Sequence, residues 1–205
     1  IWGVGKVMQG SLEKAGIRTF ADLLRWERSD LVARFGSMGD RLWHLARGQD
    51  KRRISAHEPV KSISKETTFN IDTSDPEILD GHIWRLAEQV SDRAKAKSLA
   101  GRVVTLKLKR ADHTSLTRRL ALHGSTQMAD VVYRTAKNLF DQVGDQGPYR
   151  LIGCGLSHLM DAEGAELAPD LLDPSAGKRS AAERATDKIR ERFGPDAIKK
   201  GRSLR

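Results

Sequence analysis

The stretch Val103-Val104-Thr105-Leu106-Lys107-Leu108-Lys109 lies near the middle of the chain and alternates between two kinds of side chain. Successive side chains of a β-strand point to opposite faces of the sheet. One face of this strand would therefore carry valine and leucine, and the other would carry threonine and lysine. Residues 115–122 follow a turn at 111–113 and alternate in the same way. The pattern predicts a β-hairpin with one buried face and one solvated face.

Two further strands and two helices flank this hairpin. Residues 61–70 and 149–159 have the pattern of strands, whereas apolar residues recur at helical spacing over 77–97 and 128–143. We expect Gly101 to end the first of these helices. The order β-α-β-β-α-β predicts an α+β domain whose four-stranded sheet has two helices on one face and an open second face.

Residues 1–49 predict a separate, small all-helical unit of four short helices. Thr19 is followed three residues later by Asp22, a variant of the capping box that begins a helix. Ser29 is expected to cap the next helix. The chain therefore begins with a helical unit before the α+β domain, which covers residues 61–159.

Two segments are typical of a linker and a tail. Residues 50–60 are polar and basic, contain Pro59 and lack apolar periodicity, so they predict a linker. Residues 160–205 are acidic and then basic, which favours a partly disordered or helical tail, with residues 178–193 as the candidate helix.

The composition favours a partner that is a polyanion. The 205 residues include 36 basic and 27 acidic side chains, a formal net charge of +9. Nucleic acid is the first candidate for such a partner, before a membrane.

No run of apolar residues is long enough to span a membrane, and no secretory signal is visible, so we expect a cytoplasmic protein. One cysteine, Cys154, excludes a disulfide framework and a cysteine-clustered zinc site. The first residue is Ile1, and a loop motif follows at once. We therefore interpret the chain as a piece of a longer protein.

The excess charge is densest in residues 101–123, which hold six basic side chains and one acidic side chain. Hydroxyl groups and cations are the groups that bond to phosphate oxygens, so the solvated sheet face predicts a phosphate-contacting surface. Its alternative is an ordinary solvated strand face. The candidate residues are Ser62, Ser64, Thr68, Arg102, Thr105, Lys107, Lys109, Thr117, Arg119 and Arg150.

A second candidate phosphate site is the turn Gly3-Val4-Gly5-Lys6, which leads into the first helix. Glycines allow backbone N–H groups to approach an anion, and the helix dipole favours negative charge there. The alternative is an ordinary turn between helices.

Sites for a metal or a nucleophile are not indicated. The six histidines lack ligand spacing, and the one tight carboxylate group, Asp72, Asp75 and Glu77, falls where a helix N-terminus favours acids for capping. We therefore predict no catalytic and no metal-binding residues in this chain.

The order of five segments resembles the thumb and little finger of Y-family translesion DNA polymerases of the DNA polymerase IV type. The segments are residues 3–6 with 12–19, which resemble the second half of a helix-hairpin-helix, and residues 61–69, 103–109 and 150–157, which resemble strands of the little finger. The resemblance implies a DNA-binding thumb over 1–49 and a little finger over 61–159 that grips primer–template through backbone phosphates. It also implies that the intact protein uses two magnesium ions, held by carboxylates of a palm that is missing here.

Clamp binding and catalytic function each have an alternative interpretation. Many members of the family end in a peptide that binds the sliding clamp, and Leu167, Leu171 and Leu172 are the nearest match; the alternative is an acidic spacer. The function could also be that of a non-catalytic, Y-family-like adaptor that binds DNA or the clamp. A ferredoxin-like RNA-binding domain would need aromatic residues on the central strands, which are absent.

Overall fold

The computed structural model describes residues 1–53, 59–143, 146–163, 175–194, 197, 198 and 201. The chain divides into two compact units, residues 1–58 and 59–205. Residues 54–58 of the predicted linker lie outside the described residues.

The first unit consists of short helices packed around a small apolar core. The helices are α1 (Lys6–Lys14), α2 (Phe20–Leu24), α3 (Arg28–Phe35) and α4 (Ser37–Ala46). The buried core residues are Leu12, Ile17, Leu23, Leu31 and Leu42. A Cβ added to Gly39 would lie 1.9 Å from the backbone oxygen of Leu31, so the close approach of α3 and α4 requires glycine at this position.

Of the two side-chain caps predicted for helices of this unit, one is present and the other is not. The backbone N–H of Asp22 donates to the Thr19 hydroxyl, and the Asp22 carboxylate accepts from the Thr19 backbone at 2.9 Å, so the predicted capping box is present. The hydrogen bond from the backbone N–H of Arg18 and those from Thr19 lower the pKa of Asp22. Ser29 does not cap α3, because the helix begins one residue before it and Glu27 holds the N-cap position.

The second unit has the predicted β-α-β-β-α-β order, followed by one more helix. Its elements are β1 (Ser62–Thr73), α5 (Pro76–Lys95), β2 (Leu99–Arg110), β3 (Ser115–Thr126), α6 (Ala129–Asp141), β4 (Tyr149–Asp161) and α7 (Ala176–Phe193). The four strands form one sheet in the order β1-β4-β2-β3, and every neighbouring pair is antiparallel. The predicted α+β class is confirmed.

Helices α5 and α6 cover one face of this sheet. Val104, Leu106 and Leu108 of β2 are at most 1% exposed, as their alternation predicted, and they belong to one core with the buried faces of both helices. Trp84 and Tyr133 meet edge to face at 5.0 Å between ring centroids and join α5 to α6. No described helix of the second unit covers the opposite face of the sheet.

The prediction that Gly101 ends α5 is wrong. The helix ends at Lys95, and Gly101 is a buried residue of β2. A Cβ at this position would lie 2.8 Å from the Cβ of Leu156 on β4, so glycine permits close strand packing here. Ser98, with a φ of 50°, adopts the left-handed conformation between α5 and β2.

Helix α7 packs on the helical layer through buried polar contacts. Glu183 is only 4% exposed, and its carboxylate accepts from the backbone N–H groups of Ala129 at 2.8 Å and Asp130 at 3.2 Å. These are orphan N–H groups in the first turn of α6, whose own N-cap residue Met128 makes no side-chain cap. Glu183 therefore caps α6 from a distant part of the chain.

A network of ion pairs surrounds this cap. Lys95 of α5 donates to Glu183 at 2.7 Å and to Asp187 at 2.6 Å. Burial by itself would lower the pKa of Lys95, but the hydrogen bonds to Asp187 and Glu183 outweigh it and raise the pKa. Arg190 of α7 pairs with Glu88 of α5 at 3.0 Å. Because these groups are largely shielded from water, they hold α7 in place although none of the helix's described apolar side chains is buried.

Replacement of Glu183 by alanine should destabilise the second unit by about 2 kcal/mol, because two N–H groups lose their acceptor and Lys95 loses one of its two carboxylate partners. Urea unfolding measures the loss, and amide exchange at Ala129 and Asp130 should become faster. Glu191→Ala is the matched control, since Glu191 is exposed on the same helix. Equal losses from the two variants would contradict the capping role.

Candidate nucleic-acid interface

Side chains on the open sheet face lie in rows that cross all four strands. One row runs Ser64, Gly155, Thr105 and Arg119, and the next runs Glu66, Gly153, Lys107 and Thr117. The flanking rows are Ser62, Ser157, Val103 and Ala121 on one side and Thr68, Leu151, Lys109 and Ser115 on the other. The structure therefore brings eight of the predicted contact residues onto one surface. They are Ser62, Ser64, Thr68, Thr105, Lys107, Lys109, Thr117 and Arg119.

Two glycines lower the middle of this surface. A Cβ on Gly153 would lie 2.9 Å from the Cβ of Glu66, and one on Gly155 would lie 2.9 Å from the Cβ of Ser64. Strand β4 consequently forms the floor of a cleft of about 790 Å³, which we call the glycine trough, lined by side chains of all four strands. Hydroxyl groups and cations flank a floor of bare backbone, an arrangement that lets a phosphate chain approach closely.

The cations on this face are positioned differently from one another. Lys107 donates to the carboxylate of Glu66 at 2.7 Å, and both side chains are about half exposed. Lys109 is partly exposed, and Arg119 is exposed. Sequence reasoning missed Glu66, although the alternation of β1 places it on the same face as Ser64 and Thr68.

Arg102 and Arg150 lie outside the rows of the open face and contact other parts of the sheet. Arg102 lies where the register of β2 and β3 shifts, and its Nε donates to the backbone oxygen of Leu122 at 3.2 Å. Arg150 pairs with Asp72 at 3.0 Å, near the register shift at the end of β1. Neither arginine falls in the four registered rows.

The turn before α1 has the backbone geometry that its glycines predicted. Gly3 has a φ of 93°, a left-handed conformation that favours glycine, and Gly5 is the N-cap of α1 without a side-chain cap. The backbone N–H of Val4 donates to the backbone oxygen of Ile1 at 3.1 Å. The guanidinium group of Arg41 on α4 donates to the backbone oxygen of Trp2 at 3.0 Å. Lys6 is exposed at the first position of the helix.

The remaining candidates have structural roles or lie outside the described residues. Asp75 caps α5 by accepting from the backbone N–H groups of Glu77 and Ile78. Burial raises the pKa of the Cys154 thiol to about 12, as expected for a core residue. Leu167, Leu171 and Leu172 lie outside the described residues.

The part of the chain that the structure describes has neither a metal-ligand cluster nor a membrane-spanning helix. It contains no group of three or more histidine, cysteine, aspartate or glutamate residues that could hold a metal ion. None of its helices is both long enough and apolar enough to cross a membrane.

Comparison with known proteins identifies the class of protein to which this fold belongs. Residues 60–168 match the family described as the impB/mucB/samB family C-terminal domain, and residues 1–50 match the family described as the DNA polymerase-iota thumb domain. The chain belongs to the Y family of DNA polymerases. It corresponds to the C-terminal portion, thumb and little finger, of members of the DNA polymerase IV type. The resemblance predicted from the sequence is confirmed.

Curated relatives and a solved structure agree with this assignment. The chain is 42% identical to DNA polymerase IV 1 of Mesorhizobium japonicum, over 98% of this chain and 46% of the relative. It is 43% identical to DNA polymerase IV of Brucella melitensis, over 98% of this chain and 45% of the relative. A solved Y-family DNA polymerase chimera shares the fold, with a TM-score of 0.62 and 19% identity over 78% of this chain and 46% of the chimera. The chain spans about half the length of the curated relatives it matches.

Replacement of Gly155 by alanine should destabilise the second unit by about 1–3 kcal/mol, because the new Cβ forces β1 away from β4. The nearest obstacles are the Cβ of Ser64 at 2.9 Å and the backbone oxygen of Ile63 at 3.1 Å. Urea unfolding measures the change. Gly177→Ala is the control in the same unit, since a Cβ there meets nothing within 4 Å. A Gly155 variant as stable as the control would show that the floor of the trough does not require glycine.

Proposed function

We propose that this chain is the DNA-holding part of an error-prone translesion DNA polymerase and that its open sheet face grips primer–template through backbone phosphates. The observation that carries the proposal is the glycine trough, flanked by Thr105, Lys107, Thr117 and Arg119. These side chains offer cations and hydroxyl groups on one side of a floor that has no side chain at Gly153 and Gly155. Contacts of this kind hold the backbone of DNA without reading its sequence, which suits an enzyme that must accept damaged templates.

The thumb turn would supply a second phosphate contact. The first backbone N–H groups of α1, the glycine at its N-cap and the exposed Lys6 together favour an anion. Binding through two separate units would position the duplex without base contacts.

Magnesium chemistry would belong to the part of the polymerase that this chain does not span. Nucleotidyl transfer needs acidic residues that hold two metal ions. The described acids nearest to such a group already have partners, since Asp72 pairs with Arg150 and Asp75 caps α5. The described residues do not fit a catalytic metal site, so we expect this part to bind and position DNA.

The alternatives differ in what they require. An RNA-binding sheet would carry aromatic residues for base stacking, and the four registered rows of the described sheet carry none. A non-catalytic adaptor would share the present surface but lack paired acidic motifs in the preceding half of the protein.

We also propose that the polymerase acts in the cytoplasm and that Leu167, Leu171 and Leu172 contact the sliding clamp. Clamp pull-down with a Leu171→Ala, Leu172→Ala variant tests the contact.

Replacement of Lys107 and Lys109 by alanine should weaken DNA binding about equally across DNA sequences, because phosphate contacts carry no base information. The slope of log affinity against log salt should fall by roughly 1 to 2 units, near 0.9 for each lost contact. Fluorescence anisotropy with a labelled primer–template over a salt series measures both quantities. The buried partners Val104, Leu106 and Leu108 remain, so the fold should survive.

Lys137→Ala is the matched control for this experiment. Lys137 also pairs with an acid, Asp141, but it lies on α6 and away from the open face. Equal losses from the two variants would mean that only the overall charge matters. An unchanged affinity of the strand variant would place the DNA elsewhere.

The chain alone should incorporate no nucleotide on a primer–template with Mg²⁺, because its described residues include no cluster of acids that could hold catalytic metals. Primer extension with an intact DNA polymerase IV as positive control measures this. Extension by a chain free of contaminating polymerase would contradict the proposal and return attention to Asp72, Asp75 and Glu77.

A further inference from the structure

The ion pair between Glu66 and Lys107 crosses the glycine trough. Glu66 lies on β1 and Lys107 on β2, and both are registered to Gly153 of the intervening strand β4. Neighbouring strands are about 4.8 Å apart, so the two backbones are separated by roughly twice that distance. The side chains meet at 2.7 Å above a residue that has no side chain.

The pair places a negative charge in the middle of an otherwise cationic surface. Glu66 is the one acidic side chain in the four registered rows of the described sheet. Its carboxylate oxygen lies at the distance from Lys107 Nζ that a phosphate oxygen would adopt in a charge-assisted hydrogen bond. A phosphate that binds Lys107 must therefore displace Glu66 or share the ammonium group with it.

We propose that Glu66 is an internal competitor of the DNA backbone, which holds Lys107 across the trough in the free protein and exchanges it for a phosphate when DNA binds. The exchange is feasible because a half-exposed ion pair is worth only about 0–1 kcal/mol. Glu66 consequently lowers the affinity for DNA and shortens the lifetime of the complex. This inference rests on the proposed function, since it assumes that the open face is the one that binds DNA.

The test is a double-mutant cycle on the full 205-residue chain, with the variants Glu66→Gln, Lys107→Ala and the two combined. Glu66→Gln keeps the shape of the side chain and removes its charge. It should tighten binding to a labelled primer–template roughly two- to fivefold at low salt, mainly through slower dissociation. In the Lys107→Ala background, the same substitution should give less than about half of that gain on a logarithmic scale, because the competed ammonium group is absent.

Asp141→Asn is the matched control, because Asp141 is the acidic partner in another exposed lysine pair, on α6. It should leave DNA affinity unchanged. A Glu66→Gln gain of equal size with and without Lys107 would overturn the proposal, since Glu66 would then act only through the overall field. No gain from Glu66→Gln, in a chain where Lys107→Ala weakens binding, would overturn it as well. If Lys107→Ala itself has no effect, the proposed function fails at the open face, and that outcome is distinguishable from the other two.

Discussion

Burial of α5 and α6 against one face of the sheet is the constraint on which the second unit depends. Val104, Leu106 and Leu108 supply that face from β2, and they leave every alternate residue of the strand on the other side. A strand cannot bury one set of side chains without exposing the other. The polar surface with Thr105, Lys107 and Lys109 is therefore a direct consequence of the core, and substitutions there can change binding while the packing stays intact.

The parts of the structure that follow local rules could be predicted from the sequence. Alternation predicted the strands, the three-residue spacing of Thr19 and Asp22 predicted a capping box, and the acidic group Asp72, Asp75 and Glu77 predicted a helix N-terminus, where Asp75 caps α5. The covered and open faces of the sheet follow from the same alternation.

Features that depend on partners distant in the chain could not be predicted in this way. Gly101 has the local pattern of a helix end, but its neighbour Leu156 across the sheet determines its role. The pairing of Glu66 with Lys107 requires the strand order β1-β4-β2, in which two strands distant in sequence flank a third. The cap that Glu183 provides to α6 has no local signal, because the two groups are 54 residues apart.

The cap by Glu183 also changes where the second unit should be considered to end. The match to the family domain stops at residue 168, yet the carboxylate that completes the first turn of α6 comes from a helix that runs to Phe193. A chain cut at the family boundary would keep all four strands and lose an acceptor that its helical layer needs. When little fingers are exchanged between polymerases of this kind, the segment to transplant from this protein extends through α7.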